Sequence, residues 1–396
     1  MFKSSKKILK PNIAILSSCP EDWGGSEELW GKSVPFLLAK GYGITVYKSW
    51  INVNHPEFIK LANQGVTFKI FDTRKSFLVR NFIKVAYKIK GGNYHTTFTN
   101  NPWVNNLLAL LKIDKPDFAI ISQGINFDGL GYAYAFGTLN IPYVLIAQKA
   151  IDFYWPFHSH RPIMLKVIQE AKACYFVSNH NLRLTEEQFG HRLTNGHVIF
   201  NPLKIGKILP YPNTEKEIRL ACVGRLFILD KGQDILVRIL SSKKWRERPV
   251  TITFVGSGVD EAALKDMAAL LNVKTILFAG QVSDMEALWQ QYHALVLPSR
   301  SEGLPLSMVE AMAAGRIVII SKAGGNTELI EENVTGFSGY PNEDDFDEAM
   351  ERAWNQRDNW EAMGKEAAEQ IAAAVPASPE NFFVEHLLQY IATKNC

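Results

Sequence analysis

The chain has 396 residues, and at roughly 150 residues per domain this length asks for two or three domains rather than one small binding module. Its composition, 47% hydrophobic and 21% charged, is that of a globular protein, and no run reaches the roughly 20 apolar residues of a bilayer span, which excludes a polytopic membrane protein. Forty-three Lys and Arg against 40 Asp and Glu leave a net charge of +3, too balanced to imply nucleic acid, so any basic site has to be local.

The N-terminal stretch MFKSSKKILKPNIAIL sets basic residues before an apolar run, as a secretion signal does. Pro11 and Asn12 interrupt it, and the apolar part is too short, so Ile13 to Leu16 read as a first strand. From there, short β-branched runs alternate with longer amphipathic ones, the pattern of βα units and parallel sheets. Strands are expected at 12–16, 44–46, 67–70, 118–122, 143–147, 174–177 and 197–200, then at 218–223, 251–255, 275–279, 294–297 and 317–320. The pattern restarts once, across residues 201–217, which carry three prolines and no periodicity and read as a linker. The expectation is therefore α/β: two Rossmann-like, doubly wound domains, 1–200 and 218–375, facing across a cleft, with a closing helix in 376–396. Cys19, Cys174, Cys222 and Cys396 show no C-x2-C spacing and read as buried thiols in a reducing cytoplasm.

Several strand-to-helix loops carry chemistry. SSCPEDWGGSEELWGKSV, 17–34, leads through Gly24 and Gly25 into a helix and is not a G-x-G-x-x-G dinucleotide loop. Residues 74–90 place Arg80, Lys84 and Lys88 on one helical stripe, either a surface for anionic lipid or the solvated face of an ordinary helix. FYWPFHSH, 153–160, follows Gln148 and is dense in aromatic rings; Tyr154, Trp155 and His158 either line a pocket for a sugar ring or flat aglycone or pack a core. Arg225 and Lys231, among Gly224 and Gly232, can jointly neutralise a diphosphate or can be two solvated cations. VGSG, 255–258, supplies Gly256 at a strand end, where a ligand can approach the backbone. PSRSEGLPLSMVEAMAAG, 298–315, opens a helix after a strand, and Gly303 and Pro305 free its N-terminus as an anion site. Glu302 and Glu310 flank that site and, being acidic, suit sugar hydroxyls better than phosphate. SKAGGNTELI, 321–330, repeats the strand, glycine loop and helix theme, with Asn326 or Thr327 as cap and Glu328 in the first turn.

Taken together, V-G-R-L…K-G-Q-D, V-G-S-G, F-A-G-Q-V, the 298–315 segment and A-G-G-N-T-E-L-I resemble, in order, the retaining nucleotide-sugar glycosyltransferases that include bacterial mannosyltransferases, sucrose-phosphate synthases and glycogen synthases (glycosyltransferase family 4, "group 1"). The first half matches only through Gly24-Gly25, K-P-D at 115–117 and V-I-F-N-P at 198–202. The resemblance implies the GT-B fold, with the donor on the C-terminal domain and the acceptor on the N-terminal one. It implies that Arg225 and Lys231 hold the donor diphosphate, Glu310 the ribose hydroxyls and Glu302 the transferred sugar. Backbone groups of Gly303, Leu304, Pro305 and Leu306 would bind sugar or phosphate oxygens, and Gly25 would close over the phosphates.

Where relatives carry a histidine near the donor sugar, this sequence has Gln148, which hydrogen-bonds but does not titrate. The expected reaction moves a sugar, with retention and without metal or cofactor, from a UDP-sugar in preference to a GDP-sugar. The acceptor is a hydroxyl of a glycan, a lipid-linked sugar or a small glycoside. The expected location is the cytoplasm, with contact to the inner membrane face through 74–90, and no nucleic acid partner. The alternatives are a non-catalytic nucleotide-sugar-binding scaffold and a phosphorylase or epimerase on the same fold.

Overall fold

A computed structural model describes residues 11–19, 22–72, 98–213 and 217–392; the 74–90 stretch and Cys396 lie outside them. Two parallel sheets organise the described residues. The first has seven strands in the order β3-β2-β1-β4-β5-β6-β7: β1 Asn12–Ser17, β2 Gly43–Lys48, β3 Thr67–Ile70, β4 Phe118–Gln123, β5 Tyr143–Ala147, β6 Cys174–Phe176 and β7 Gly196–Val198. The second has six in the order β10-β9-β8-β11-β12-β13: β8 Ile218–Val223, β9 Val250–Val255, β10 Ile276–Gly280, β11 Ala294–Leu297, β12 Ile317–Ser321 and β13 Gly336–Gly339. Strand order reverses between β1 and β4 and again between β8 and β11, the two places where a doubly wound sheet opens a crevice at its strand ends.

The strand sequences explain this burial. Ile13 of β1 pairs with Ile44 on one side and Phe118 on the other, so β1 is a central strand. Ile13 and Ile15 face one core, with Phe118, Ile120, Val144 and Ile146, whereas Ala14 and Leu16 face another, with Ala119, Ile121 and Leu145. Helices cover both faces, so the interior residues of the strand, Ile13 to Leu16, have to be apolar. Local caps set the helix starts: Asn101 accepts from the Val104 N–H at 3.0 Å before Pro102, and Ser178 accepts from the Asn181 N–H at 3.2 Å.

The segment after Pro202 leads from the first domain to the second, and its Ile205 and Leu209 are buried in the second domain's core. Arg316 pins it from within. This fully buried guanidinium donates to the carbonyls of Leu209 at 3.3 Å, Pro210 at 2.5 Å and Ala314 at 2.9 Å. The chain then returns. The final helix, Pro379–Ala392, inserts Phe383, Val384 and Leu387 beside Leu29, Trp30 and Val34 of the helix Gly25–Ala39, in the first domain.

Two expectations about local structure are corrected. A strand at Gly336–Gly339 stands where none was read. The segment after Ser321 forms only a four-residue 3-10 helix, Asn326–Leu329, and Asn326 does not cap it: its buried amide donates to the Ser321 carbonyl at 2.9 Å. Cys19, Cys174 and Cys222 are buried as thiols without disulfides, and burial raises Cys222 to about 12. Among the described residues no helix is long and apolar enough to cross a membrane.

Candidate active site

The loops that follow β8, β9, β11 and β12 converge at one edge of the second sheet. After β8 a short helix, Ile228–Lys231, ends at Gly232, which has φ +63° and whose absent Cβ would lie 2.2 Å from the Pro298 carbonyl. Only glycine fits there, and the fit seats Lys231 against the loop after β11. Lys231 Nζ donates to Glu302 Oε1 at 2.5 Å, with the Lys231 side chain 19% exposed and that of Glu302 6%. The cation expected at the diphosphate and the carboxylate expected at the sugar are thus brought into one pair. Gly324, at φ +56°, packs on the Glu302 carbonyl, which a Cβ would approach to 2.0 Å.

Arg225 stands on the loop between β8 and the short helix, with its side chain 51% exposed and Nη2 3.8 Å from Oδ2 of Asp230. The same oxygen accepts from Lys149 Nζ at 2.9 Å. Lys149 belongs to the first domain and directly follows Gln148. Gly256, at φ +140°, has a reason other than ligand approach: a Cβ would meet the Gly224 carbonyl at 2.1 Å, so it is the contact between two loops that demands glycine at 256.

Pro305 caps the helix Leu306–Ala313 without a side-chain hydrogen bond. Leu304, Leu306 and Val309 line a small cleft shared with Val177, Phe200, Asn201 and Leu203. On the same helix Glu310 is buried, and its Oε1 accepts from the Lys204 N–H at 3.3 Å. Burial raises its carboxyl to about 7, with a further push from the charge of Glu28, while the charge and N–H of Lys204 pull it down. Glu28, from the first domain, is 3.7 Å from Lys204 Nζ and accepts from Trp23 Nε1 at 3.1 Å.

The opposite wall begins at Gly24 and Gly25. Gly24 caps the helix Gly25–Ala39 in extended geometry, and a Cβ on Gly25 would meet nothing within 4 Å, so this helix start faces open space. Beneath it, fully buried Glu27 accepts from Ser17 Oγ at 2.7 Å and pairs with fully buried Lys48, which also donates to the Cys19 carbonyl at 3.0 Å. This network ties the loop to the sheet. Gln148 shares its amide with Asn201, whose Nδ2 donates to Gln148 Oε1 at 2.8 Å, and its Nε2 lies 3.4 Å from the Ser26 carbonyl.

The two walls meet beside the site. A Cβ on Gly303 would sit 1.9 Å from the Gln148 carbonyl, and one on Gly325 would sit 2.4 Å from Ser178 Cβ. The carboxylate of Glu328 accepts from the backbone N–H groups of Asn179 at 2.9 Å and His180 at 2.6 Å, capping the first-domain helix Asn179–Phe189 from across the cleft. After Gln148, Phe153, Tyr154, Trp155 and Phe157 are 63%, 44%, 52% and 69% exposed, and His158 is exposed too, which overturns the core-packing alternative for this loop. Tyr154 keeps one ring contact, at 5.1 Å to Phe127.

Sequence reading missed Lys149, Asp230, Glu28, Lys204 and the Glu27–Lys48 pair. Lys149, beside the singled-out Gln148, and Asp230, beside the singled-out Lys231, stood next to residues already marked.

Residues 209–370 match the model of the family described as glycosyl transferases group 1. An uncharacterized glycosyltransferase of Haemophilus influenzae is 35% identical over 320 residues, covering 79% of this chain and 82% of that protein. The chain belongs to the group 1 glycosyltransferases. D-rhamnosyltransferase WbpZ of Pseudomonas aeruginosa is 34% identical over 145 residues, 35% of this chain and 36% of that protein. The crystal structure of Anabaena HepE in complex with UDP and glucose is similar with a TM-score of 0.73 at 16% identity, over 96% of this chain and 100% of that one. At that identity the likeness is one of fold, the GT-B arrangement of two Rossmann-like domains. In this group 1 glycosyltransferase the family match spans the segments that carry Arg225, Lys231, Glu302 and Glu310.

Proposed function

We propose that the protein transfers a sugar from a nucleoside diphosphate sugar, a UDP-sugar in preference to a GDP-sugar, to an acceptor hydroxyl with retention of anomeric configuration. The observation that carries this reading is the pairing of Lys231 with Glu302 beside Arg225, at the strand ends of the second sheet. In this reading an arriving diphosphate draws Lys231 and Arg225 to itself and frees Glu302 for the hydroxyls of the transferred sugar. Glu310 accepts from the ribose hydroxyls, and the backbone of Gly303 to Leu306 meets sugar or phosphate oxygens.

The acceptor oxygen bonds to the anomeric carbon on the face where the diphosphate departs. The bond from that carbon to the diphosphate oxygen breaks, and the acceptor's proton passes to the diphosphate. No protein nucleophile enters this scheme. Charge developing on the leaving group is met by Lys231 and Arg225, and one preorganised donor of that kind is worth about 100-fold in turnover or more. Side-chain cations take the place of a metal, so chelation by EDTA leaves the rate unchanged.

UDP as the nucleotide is supported by the UDP held in the structurally similar HepE. An acceptor with a sugar ring is supported by the exposed aromatic faces of Tyr154 and Trp155, which suit stacking. Incubation with UDP-, GDP- and ADP-sugars tests the proposal. Release of UDP from one UDP-sugar is the expected result; tight binding of a nucleotide sugar without release from any would turn the reading into that of a binding scaffold.

A further inference from the structure

We propose that Lys149 is a third cation of the donor diphosphate site, supplied from the opposite domain; this rests on the diphosphate reading above. Lys149 Nζ and Arg225 Nη2 share one oxygen, Oδ2 of Asp230, at 2.9 and 3.8 Å, so the two cationic groups stand no more than 6.7 Å apart. The oxygens of a diphosphate can bridge such a gap while hydrogen-bonding to both. Lys149 is no solvated surface lysine: its side chain is 16% exposed and that of Asp230 15%. Its backbone is held at the site as well, because the preceding carbonyl, that of Gln148, packs on Gly303, next to Glu302.

Lys149 pairs with Asp230, which Arg225 also approaches, and Lys231 pairs with Glu302. A diphosphate carries enough negative charge to replace both carboxylates as the partner of all three cations. Asp230 is then a stand-in for the ligand.

A plain structural strap between Lys149 and Asp230 makes a different prediction, and two variants of opposite expected sign separate the cases. Titration calorimetry with UDP, GDP and ADP on the full chain identifies the tightest nucleotide, which is then titrated against Lys149→Met, Lys149→Arg, Asp230→Asn and Lys231→Ala, each checked for an unchanged circular dichroism spectrum. Lys149→Met is expected to weaken binding about 10-fold, the worth of one charge-assisted hydrogen bond. Lys149→Arg is expected to keep most of the affinity. Asp230→Asn, which removes the competing carboxylate, is expected to bind at least as tightly as the parent. Unchanged binding in Lys149→Met, or parallel weakening in Lys149→Met and Asp230→Asn, would overturn the inference. If Lys231→Ala also binds as the parent does, the diphosphate reading itself has failed; if Lys231→Ala weakens binding and Lys149→Met does not, only the role of Lys149 falls.

Discussion

The ammonium of Lys231 lies 2.5 Å from the carboxylate of Glu302, both largely shielded from water, at the strand ends of the second sheet. Such a pair has two separable consequences. Removing Lys231 alone leaves a buried carboxylate without its cation, so Lys231→Ala should lose about 1–3 kcal/mol of stability. The double variant Lys231→Ala with Glu302→Gln removes that charge and should regain most of the loss without regaining transfer. Denaturant melts of the two variants check this, and equal stability of the double and the single variant would contradict it.

Glu310 makes the stability depend on pH. Its carboxyl is raised from 4.5 to about 7, first by burial and then by the charge of Glu28. Between those values the folded protein holds a proton that the unfolded chain has released, so this residue's contribution falls as pH rises through the window and is lowest above it. Glu310→Gln keeps the shape and never ionises. It should be more stable than the parent by about 1–3 kcal/mol at pH 8, with the gap closing toward pH 4.5. Thermal melts across that range read it directly.

Glu328 reaches across the cleft to cap the helix Asn179–Phe189. Replacing such a cap costs about 1 kcal/mol. Because the cap joins the two domains, that cost should fall on closure more than on global stability. Glu328→Ala is expected to lower kcat/KM for the donor about 5-fold, consistent with a loss of about 1 kcal/mol in the closed complex, while its melting temperature stays near that of the parent. Parent-like kcat/KM would show that closure does not need this contact.

Both sheets were legible because a parallel strand covered on two faces must be a continuous apolar run, as IVII at 317–320 is. The strand Gly336–Gly339 was not, although all four residues are buried. It reads GFSG, and Gly336 is small because a Cβ would lie 2.8 Å from the Val318 carbonyl. Glycine beside charge marked Arg225, Lys231 and Glu302 as candidates. That Lys231 and Glu302 pair across 71 residues, and Lys149 and Asp230 across 81, is decided by how the strand ends meet, which no local pattern records.

The aromatic loop gives a prediction about the acceptor alone. Trp155 is 52% exposed, and its Nε1 donates to the Asp152 carbonyl at 2.9 Å, which holds the ring outward. Trp155→Ala should leave folding and slow donor hydrolysis as they are and raise the acceptor KM about 3- to 10-fold, the worth of one aromatic stacking contact. An unchanged acceptor KM, measured with the acceptor that supports transfer, would remove this loop from the acceptor site.

In the proposed reaction, side-chain cations at the strand ends of the second domain stabilise the departing diphosphate. The turnover of Lys231→Ala at saturating donor, measured on protein shown by its circular dichroism to be folded, tests it most directly. A fall of about 100-fold or more is expected; turnover close to that of the parent would contradict this role of Lys231.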